Sequence, residues 1–209
     1  MSFSPPPLDC TLCPRLHAFR AKNAQLFPSY HNAPVDAFGA LDATRLVVGL
    51  APGLHGANAT ARPFTGDYAG DTLYAALKKY GLAKGQYDKH RDDGFMLRNV
   101  RITNAVRCVP PENKPTTAEI HTCNRFLHDE IHSMPNLKII LALGGIAHKA
   151  VLRALGYKQN HTRFKHHYRV MLDNGLHLLS SYHCSRYNTS TKRLTTNMFD
   201  AVIEDFAKP

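Results

Sequence analysis

Four cysteines could hold a metal centre. Cys10 and Cys13 form a Cys-x-x-Cys pair, while Cys108 and Cys123 stand fifteen residues apart in mid-chain. Four thiolates suit either an iron-sulfur cluster or tetrahedral zinc, and spacing does not separate the two. Cys123 could equally be a small core residue on a helix face, and Cys10 and Cys13 idle thiols near the terminus. A second set of residues suits an organic ligand. His183 offers a hydrogen-bond donor and Asp67 a carboxylate, and the Asn104 amide can both donate and accept at the edge of a heterocycle. Phe64, flanked by Pro63 and Thr65 in a polar loop, can stack on a planar ring or anchor a core. Gly49, Gly53 and Gly56 let the backbone approach a ligand closely, and Pro52 stiffens the turn between them.

These residues fall at the ends of strands. Arg45 to Leu50 is a short apolar run ending in Ala51-Pro52-Gly53, as expected of a buried strand feeding a loop. Val100 to Val106, Lys138 to Leu143 and Leu176 to Ser181 make three more strand candidates. Between them, Leu73, Tyr74, Leu77 and Tyr80 recur at helical spacing until Gly81. Thr116 and Glu119 form a capping box for a helix with Ile120, Cys123, Phe126, Leu127 and Ile131 on one face. Gly144-Gly145 opens a third helix through Leu155, and Met198, Phe199, Val202, Ile203 and Phe206 mark a terminal one. Strands alternating with helices predict an α/β fold, a three-layer α/β/α sandwich around a central, mainly parallel four-stranded sheet. Ligands of such sheets bind beyond the carboxyl ends of the strands, which selects the loops after Leu50, Val106, Leu143 and Ser181.

The 209 residues suit one domain, 1–209. Lys and Arg number 26 against 16 Asp and Glu, for a net charge of +10 with no long basic run, which suggests a polyanionic partner. The N-terminus, Met1 to Pro7, has no apolar stretch of signal-peptide length, and no run is long enough to span a bilayer, so a cytoplasmic protein without a membrane partner is expected. Thirteen histidines include His161, His166 and His167, but no compact set has ligand spacing. With Arg163, Lys165 and Arg169 nearby, that segment reads as a solvent- or phosphate-facing surface.

The loop after the first strand reads Gly49-Leu50-Ala51-Pro52-Gly53-Leu54-His55-Gly56-Ala57-Asn58 and continues to Arg62-Pro63-Phe64-Thr65-Gly66-Asp67; the loop after the fourth reads Tyr182-His183-Cys184-Ser185-Arg186-Tyr187-Asn188-Thr189. Together these resemble the first and last motifs of the uracil-DNA glycosylase superfamily, and the Gly-Leu-Ala-Pro start with the Phe-Thr-Gly-Asp finish resembles its fifth family, type b. The resemblance implies a monofunctional glycosylase that flips uracil, and other deaminated bases such as hypoxanthine, out of double-stranded DNA and hydrolyses the N-glycosidic bond. It implies base contacts from Gly49, Ala51, Phe64, Asn104 and His183, catalysis by Asp67 and His183, and DNA contacts from Arg186, Tyr187 and Asn188, with a side chain of that loop filling the gap left by the flipped base. It also implies that Cys10, Cys13, Cys108 and Cys123 ligate a 4Fe-4S cluster, tying the N-terminal segment to the second strand's loop. A monomer associated with the nucleoid is expected, and no lysine is placed for Schiff-base lyase chemistry.

Two departures from the pattern carry consequences. Ala51 stands where many members have a polar, water-positioning residue, so that work passes to Asp67, although Gly66-Asp67 is also good turn chemistry and Asp71 could cap the next helix. Cys184 stands where the last motif usually has Pro, which predicts a looser His183 loop. Rival readings are a noncatalytic damaged-DNA-binding module, and a zinc or iron-sulfur enzyme acting on free nucleotides.

Overall fold

The computed structural model describes residues 3–208. Met1 and Ser2, which begin the N-terminal stretch read above as lacking a leader, lie outside them, as does Pro209. The elements run α1 (Pro14–Leu26), β1 (Arg45–Gly49), α2 (Ala57–Thr60), α3 (Tyr68–Lys79), β2 (Ala83–Lys84), β3 (Met96–Leu97), β4 (Val100–Asn104), α4 (Thr117–His132), β5 (Ile139–Leu143), α5 (Gly145–Ala154), β6 (Tyr168–Met171), β7 (His177–Ser181), α6 (Arg186–Ser190) and α7 (Thr196–Ala207), with a 3-10 turn at Pro111–Asn113 before α4.

The central sheet has the order β4-β1-β5-β7-β6, with the first four strands parallel and β6 antiparallel to β7. The expected four strands are all present, and a fifth closes one edge. Strand period sorts the apolar residues into two layers. Val47, Leu141 and Leu179 pack with Leu73 and Leu77 of α3 and Phe199 and Val202 of α7. Their neighbours Leu46, Val48, Ile140 and Leu178 face Leu127 of α4 and Ala147 and Val151 of α5. No helix among the described residues is long and apolar enough to cross a membrane.

The capping box of α4 is formed as expected, with the Thr116 hydroxyl accepting from the Glu119 N–H and the Glu119 carboxylate accepting from the Thr116 N–H. Three features differ from the sequence reading. Asp67, not Asp71, caps α3, its Oδ1 accepting from the Gly70 N–H at 2.9 Å; Asp71 lies in the first turn and pairs with Lys89. The N-terminal segment holds a helix, α1, whose buried residues are Leu16, Arg20 and Asn23. The stretch from Arg163 to Arg169 is only partly a charged surface. Arg163 and Lys165 are exposed, but Arg169 lies in β6 and pairs with Asp205 at 3.0 Å, because pairing with β7 turns its side chain toward α7. His166 stacks on Tyr182 instead of facing solvent.

Candidate active site

The loops after β1 and β7 border one crevice of about 540 Å³, with Asn113 from the segment beyond β4 also lining it. A smaller pocket of about 40 Å³, which shares Gly53 and several other walls with it, is lined by Ala51, Phe64, Asp67, Asn104 and His183, so that the end of β4 joins those of β1 and β7 here. Five of the six residues expected to act on the base, counting Asp67, therefore meet at one point, and the sixth, Gly49, lies directly behind them. Gly49 is opposite Asn104 in the β1–β4 register. A Cβ there would stand 2.4 Å from Asn104 Oδ1 and 2.6 Å from Phe64 Cζ, so the absent side chain is what lets amide and aromatic ring come together.

Asn104 ends β4 and is buried, yet its amide makes no hydrogen bond among the described residues. The ring nitrogens of His183 likewise have no protein partner there. Asn104 is buried and His183 half-buried, and a polar group withdrawn from water normally finds a partner, so these two side chains hold their donors and acceptors open to the pocket. Burial pushes the His183 ring down from 6.5 to about 4, leaving it neutral at physiological pH. The Phe64 ring lies nearly parallel to it, with centroids 5.9 Å apart and planes at 21°.

Asp67 divides its carboxylate between two tasks. Oδ1 caps α3, while Oδ2 faces the glycine turn, 2.7 Å from where a Cβ on Gly56 would be. Burial raises its pKa, and the Gly70 N–H opposes that rise.

Phe64 has a left-handed backbone, φ 53°, unusual for an aromatic residue, and the surrounding packing fixes it. Arg62 makes a bidentate pair with Asp93, 2.8 Å at each oxygen, with side-chain exposures of 4% and 0%. Its guanidinium lies 5.0 Å from the Phe38 ring centroid, 5.5 Å from that of Tyr74 and 5.7 Å from that of Tyr87, and its Nε donates to Thr65 Oγ1. The Tyr74 hydroxyl donates to the Pro63 carbonyl, and the Tyr87 hydroxyl accepts from the Gly66 N–H. Burial alone would raise the Asp93 carboxyl, but the hydrogen bonds from Arg62 and from the Asp88 and Phe95 N–H groups hold it well below the usual carboxylate range. Gly70 completes the clamp, since a Cβ there would sit 1.7 Å from the Phe64 carbonyl oxygen. Asp93 and its pairing with Arg62 have no signal in the sequence motifs that named Phe64.

The last-motif loop is not loosened by its cysteine. Cys184 is fully buried and its thiol points at the Ala69 carbonyl of α3, 3.5 Å away, so packing against the helix replaces the stiffness that Pro would supply. Asn188 Nδ2 donates to the His183 carbonyl at 2.8 Å, which places that amide inside the loop's own framework. Arg186 borders the crevice with its guanidinium 5.4 Å from the Tyr68 ring centroid, and Tyr187 projects outward with 72% of its surface exposed.

The four cysteines of the ligand expectation line a second, largely apolar cavity between α1, the loop after β4 and α4. No three candidate ligands among the described residues surround a single point closely enough to hold one ion. Four thiols hold a four-iron cluster through separate iron atoms, and Cys10, Cys13, Cys108 and Cys123 are four such donors around one shared cavity of about 10 Å³, so the chemistry of the donor set suits that group. Burial pushes the Cys13 thiol up to about 11 and Cys108 to about 12, with the neighbouring thiols adding to the rise, so four free thiolates in this space would be unfavourable without a cationic core between them.

Comparison with known proteins identifies the family of the chain. A family model described as the uracil DNA glycosylase superfamily matches residues 36–207. A type-5 uracil-DNA glycosylase of Thermus thermophilus is 44% identical over 93% of the chain and 90% of its own length. One from Pyrobaculum aerophilum is 40% identical over 94% and 87%. A type-4 uracil-DNA glycosylase of the latter organism is 34% identical over 71% and 62%.

Proposed function

Because the chain belongs to the uracil DNA glycosylase superfamily, we propose that it is a monofunctional DNA-repair glycosylase that flips uracil out of duplex DNA and hydrolyses its bond to the sugar. The observation that carries this reading is the meeting of Asn104 and His183, two polar side chains without protein partners, with Phe64 and Asp67 at one pocket. In the proposed complex the base stacks on Phe64, and Asn104 reads its Watson-Crick edge. Breaking the glycosidic bond leaves its electron pair on the base and positive charge on the sugar. Neutral His183 donates a hydrogen bond to the base oxygen where negative charge collects, and Asp67 Oδ2 faces the cationic sugar. Water adds to the anomeric carbon, and Asp67, whose affinity for a proton is raised by burial, accepts the proton that water gives up. Tyr187 is the wedge for the vacated space, and Arg186 contacts phosphate. The Asn188 amide serves mainly to hold the His183 carbonyl.

Other deaminated bases, hypoxanthine among them, are proposed as further substrates on the resemblance of the Gly49–Pro52 and Phe64–Asp67 motifs to the superfamily's fifth family. Release of free base from duplexes carrying uracil, hypoxanthine or xanthine tests this directly. No release from any of them, with damaged DNA still bound, would leave a noncatalytic binding module. Excision from free nucleotides that undamaged duplex does not inhibit would favour a nucleotide enzyme.

Asp67→Asn keeps an Ncap acceptor for α3, so stability should barely change. Single-turnover excision should fall about 100-fold, the lower end of what a positioned acid-base group contributes. An unchanged rate would confine Asp67 to the helix cap. Duplex binding should weaken with salt along a log-log slope of about −0.9 per phosphate neutralised, and a flat response would remove DNA as the partner of the +10 charge.

A 4Fe-4S cluster is the proposed occupant of the four-cysteine cavity, where it would neutralise the thiolates and tie α1 to the sheet. Anaerobically purified protein should be brown and carry iron; stoichiometric zinc without iron would refute this. As a cytoplasmic enzyme working along the nucleoid, it is proposed to act as a monomer.

A further inference from the structure

Two buried arginines stand beside the four-cysteine cavity with N–H groups that nothing among the described residues accepts. Arg20, on α1, is 4% exposed and donates to the carbonyls of Leu8 at 2.8 Å and Cys10 at 2.5 Å. Its Nε is buried without a partner, and no carboxylate pairs with it among the described residues. Arg107 is 1% exposed, lines the cavity itself, and sends its main-chain N–H to Cys123 Sγ at 3.4 Å. Its Nη2 donates to Glu130, but Nε and Nη1 have no acceptor. Glu130 also accepts from Arg101 at 2.6 Å, so this buried trio keeps one net positive charge. The Arg15–Glu119 pair on the Cys13 side is neutral.

Buried guanidinium groups without a counter-charge are costly, and each unmade hydrogen bond adds to that cost. Arg20 together with the Arg101–Glu130–Arg107 trio amounts to two uncompensated positive charges around one cavity. A 4Fe-4S core in its resting 2+ state bound to four thiolates carries two negative charges. We propose that Arg20 and Arg107 are the built-in counter-charges of the cluster, and that their free N–H groups hydrogen-bond to its sulfur atoms. They would hold it against loss and ease its reduction, because net charge and hydrogen bonds to sulfur set the potential of such clusters. This inference rests on the cluster reading given above, whereas the two arginines are assigned from their own burial and missing acceptors.

The test uses anaerobic, iron-loaded holoprotein of the parent, Arg20→Met, Arg20→Lys and Arg107→Met. The cluster's midpoint potential is measured by spectroelectrochemistry and iron release by challenge with a chelator. Both Met variants should move the potential to more negative values and release iron several-fold faster. Arg20→Lys, which retains the charge, should stay near the parental potential, and it keeps the test available if Arg107→Met does not fold. Identical potentials in parent and folded Met variants would overturn the proposal, even if their thermal stability differed, because a purely structural arginine changes stability without moving the potential. Absence of iron from the parent would instead refute the cluster reading, and the counter-charge role with it.

Discussion

Replacing His183 with Ala should slow single-turnover excision of uracil by about 100- to 1000-fold, the usual effect of removing one donor to a developing anion. Binding to uracil-containing duplex should change far less, because the hydrogen bond strengthens as charge moves onto the base. His183→Gln, which keeps a donor, should retain more activity than His183→Ala. The ring titrates near 4 in the fold and near 6.5 when exposed, so well above pH 4 its protonation should leave no mark on the parental rate. Between those two values the unfolded chain binds the extra proton. This contribution to stability is therefore fully present above 6.5 and is lost as pH falls toward 4. Denaturation midpoints measured at the two ends of that window should differ less in His183→Ala than in the parent. A variant that binds weakly but excises at the parental rate once saturated would move catalysis from His183 to Asp67.

Asp93→Ala should lower stability by about 3–5 kcal/mol, since it strands the Arg62 guanidinium in the interior. That is a large fraction of the 5–15 kcal/mol typical of a folded domain. Denaturant unfolding should show a lower midpoint with an unchanged slope. The double change Arg62→Met, Asp93→Leu should recover much of the loss, because it removes both charges and keeps apolar volume. Excision should remain impaired even in the recovered protein: Arg62 Nε no longer reaches Thr65, and the left-handed turn at Phe64 loses part of its support. A loss below about 1 kcal/mol for Asp93→Ala, the range of an exposed ion pair, would show that the clamp is not the buried pair described.

The parts of the site that were legible in the sequence are those fixed by short-range pattern. Apolar runs located β1, β4, β5 and β7, and the rule that ligands gather at their carboxyl ends selected the loop that holds His183, whereas Asn104 came from the resemblance to the superfamily's motifs. Helix α1 was missed because two of its three buried residues, Arg20 and Asn23, are polar, so no apolar stripe marks it; Pro14 in its first turn was the available sign. Strand β6 was missed because its residues are exposed or half-buried along an edge and read as a charged loop. The Arg62–Asp93 clamp and the Arg107–Glu130–Arg101 trio join residues 23 to 31 positions apart, and nothing local to either partner names the other. Cys184 misled for the opposite reason: the missing Pro was visible, but the wall of α3 that steadies the loop was not.

The anchoring of α1 also fixes an order of events in making the protein. Its cysteines leave the ribosome first, but their proposed co-ligands Cys108 and Cys123 follow only after roughly a hundred more residues, and β1 cannot pair with β5 until residue 139 has been made. Chains emerge at about 5–20 residues per second, so Cys10 and Cys13 spend several seconds as bare thiols on an undocked arm. The proposed cluster can be loaded only after Cys123 has emerged and α4 has brought it beside Cys108. Cells short of iron or under oxidative stress during that interval should accumulate chains whose catalytic pocket is formed but whose arm is unfastened, a population that protease nicking ahead of residue 36 would reveal.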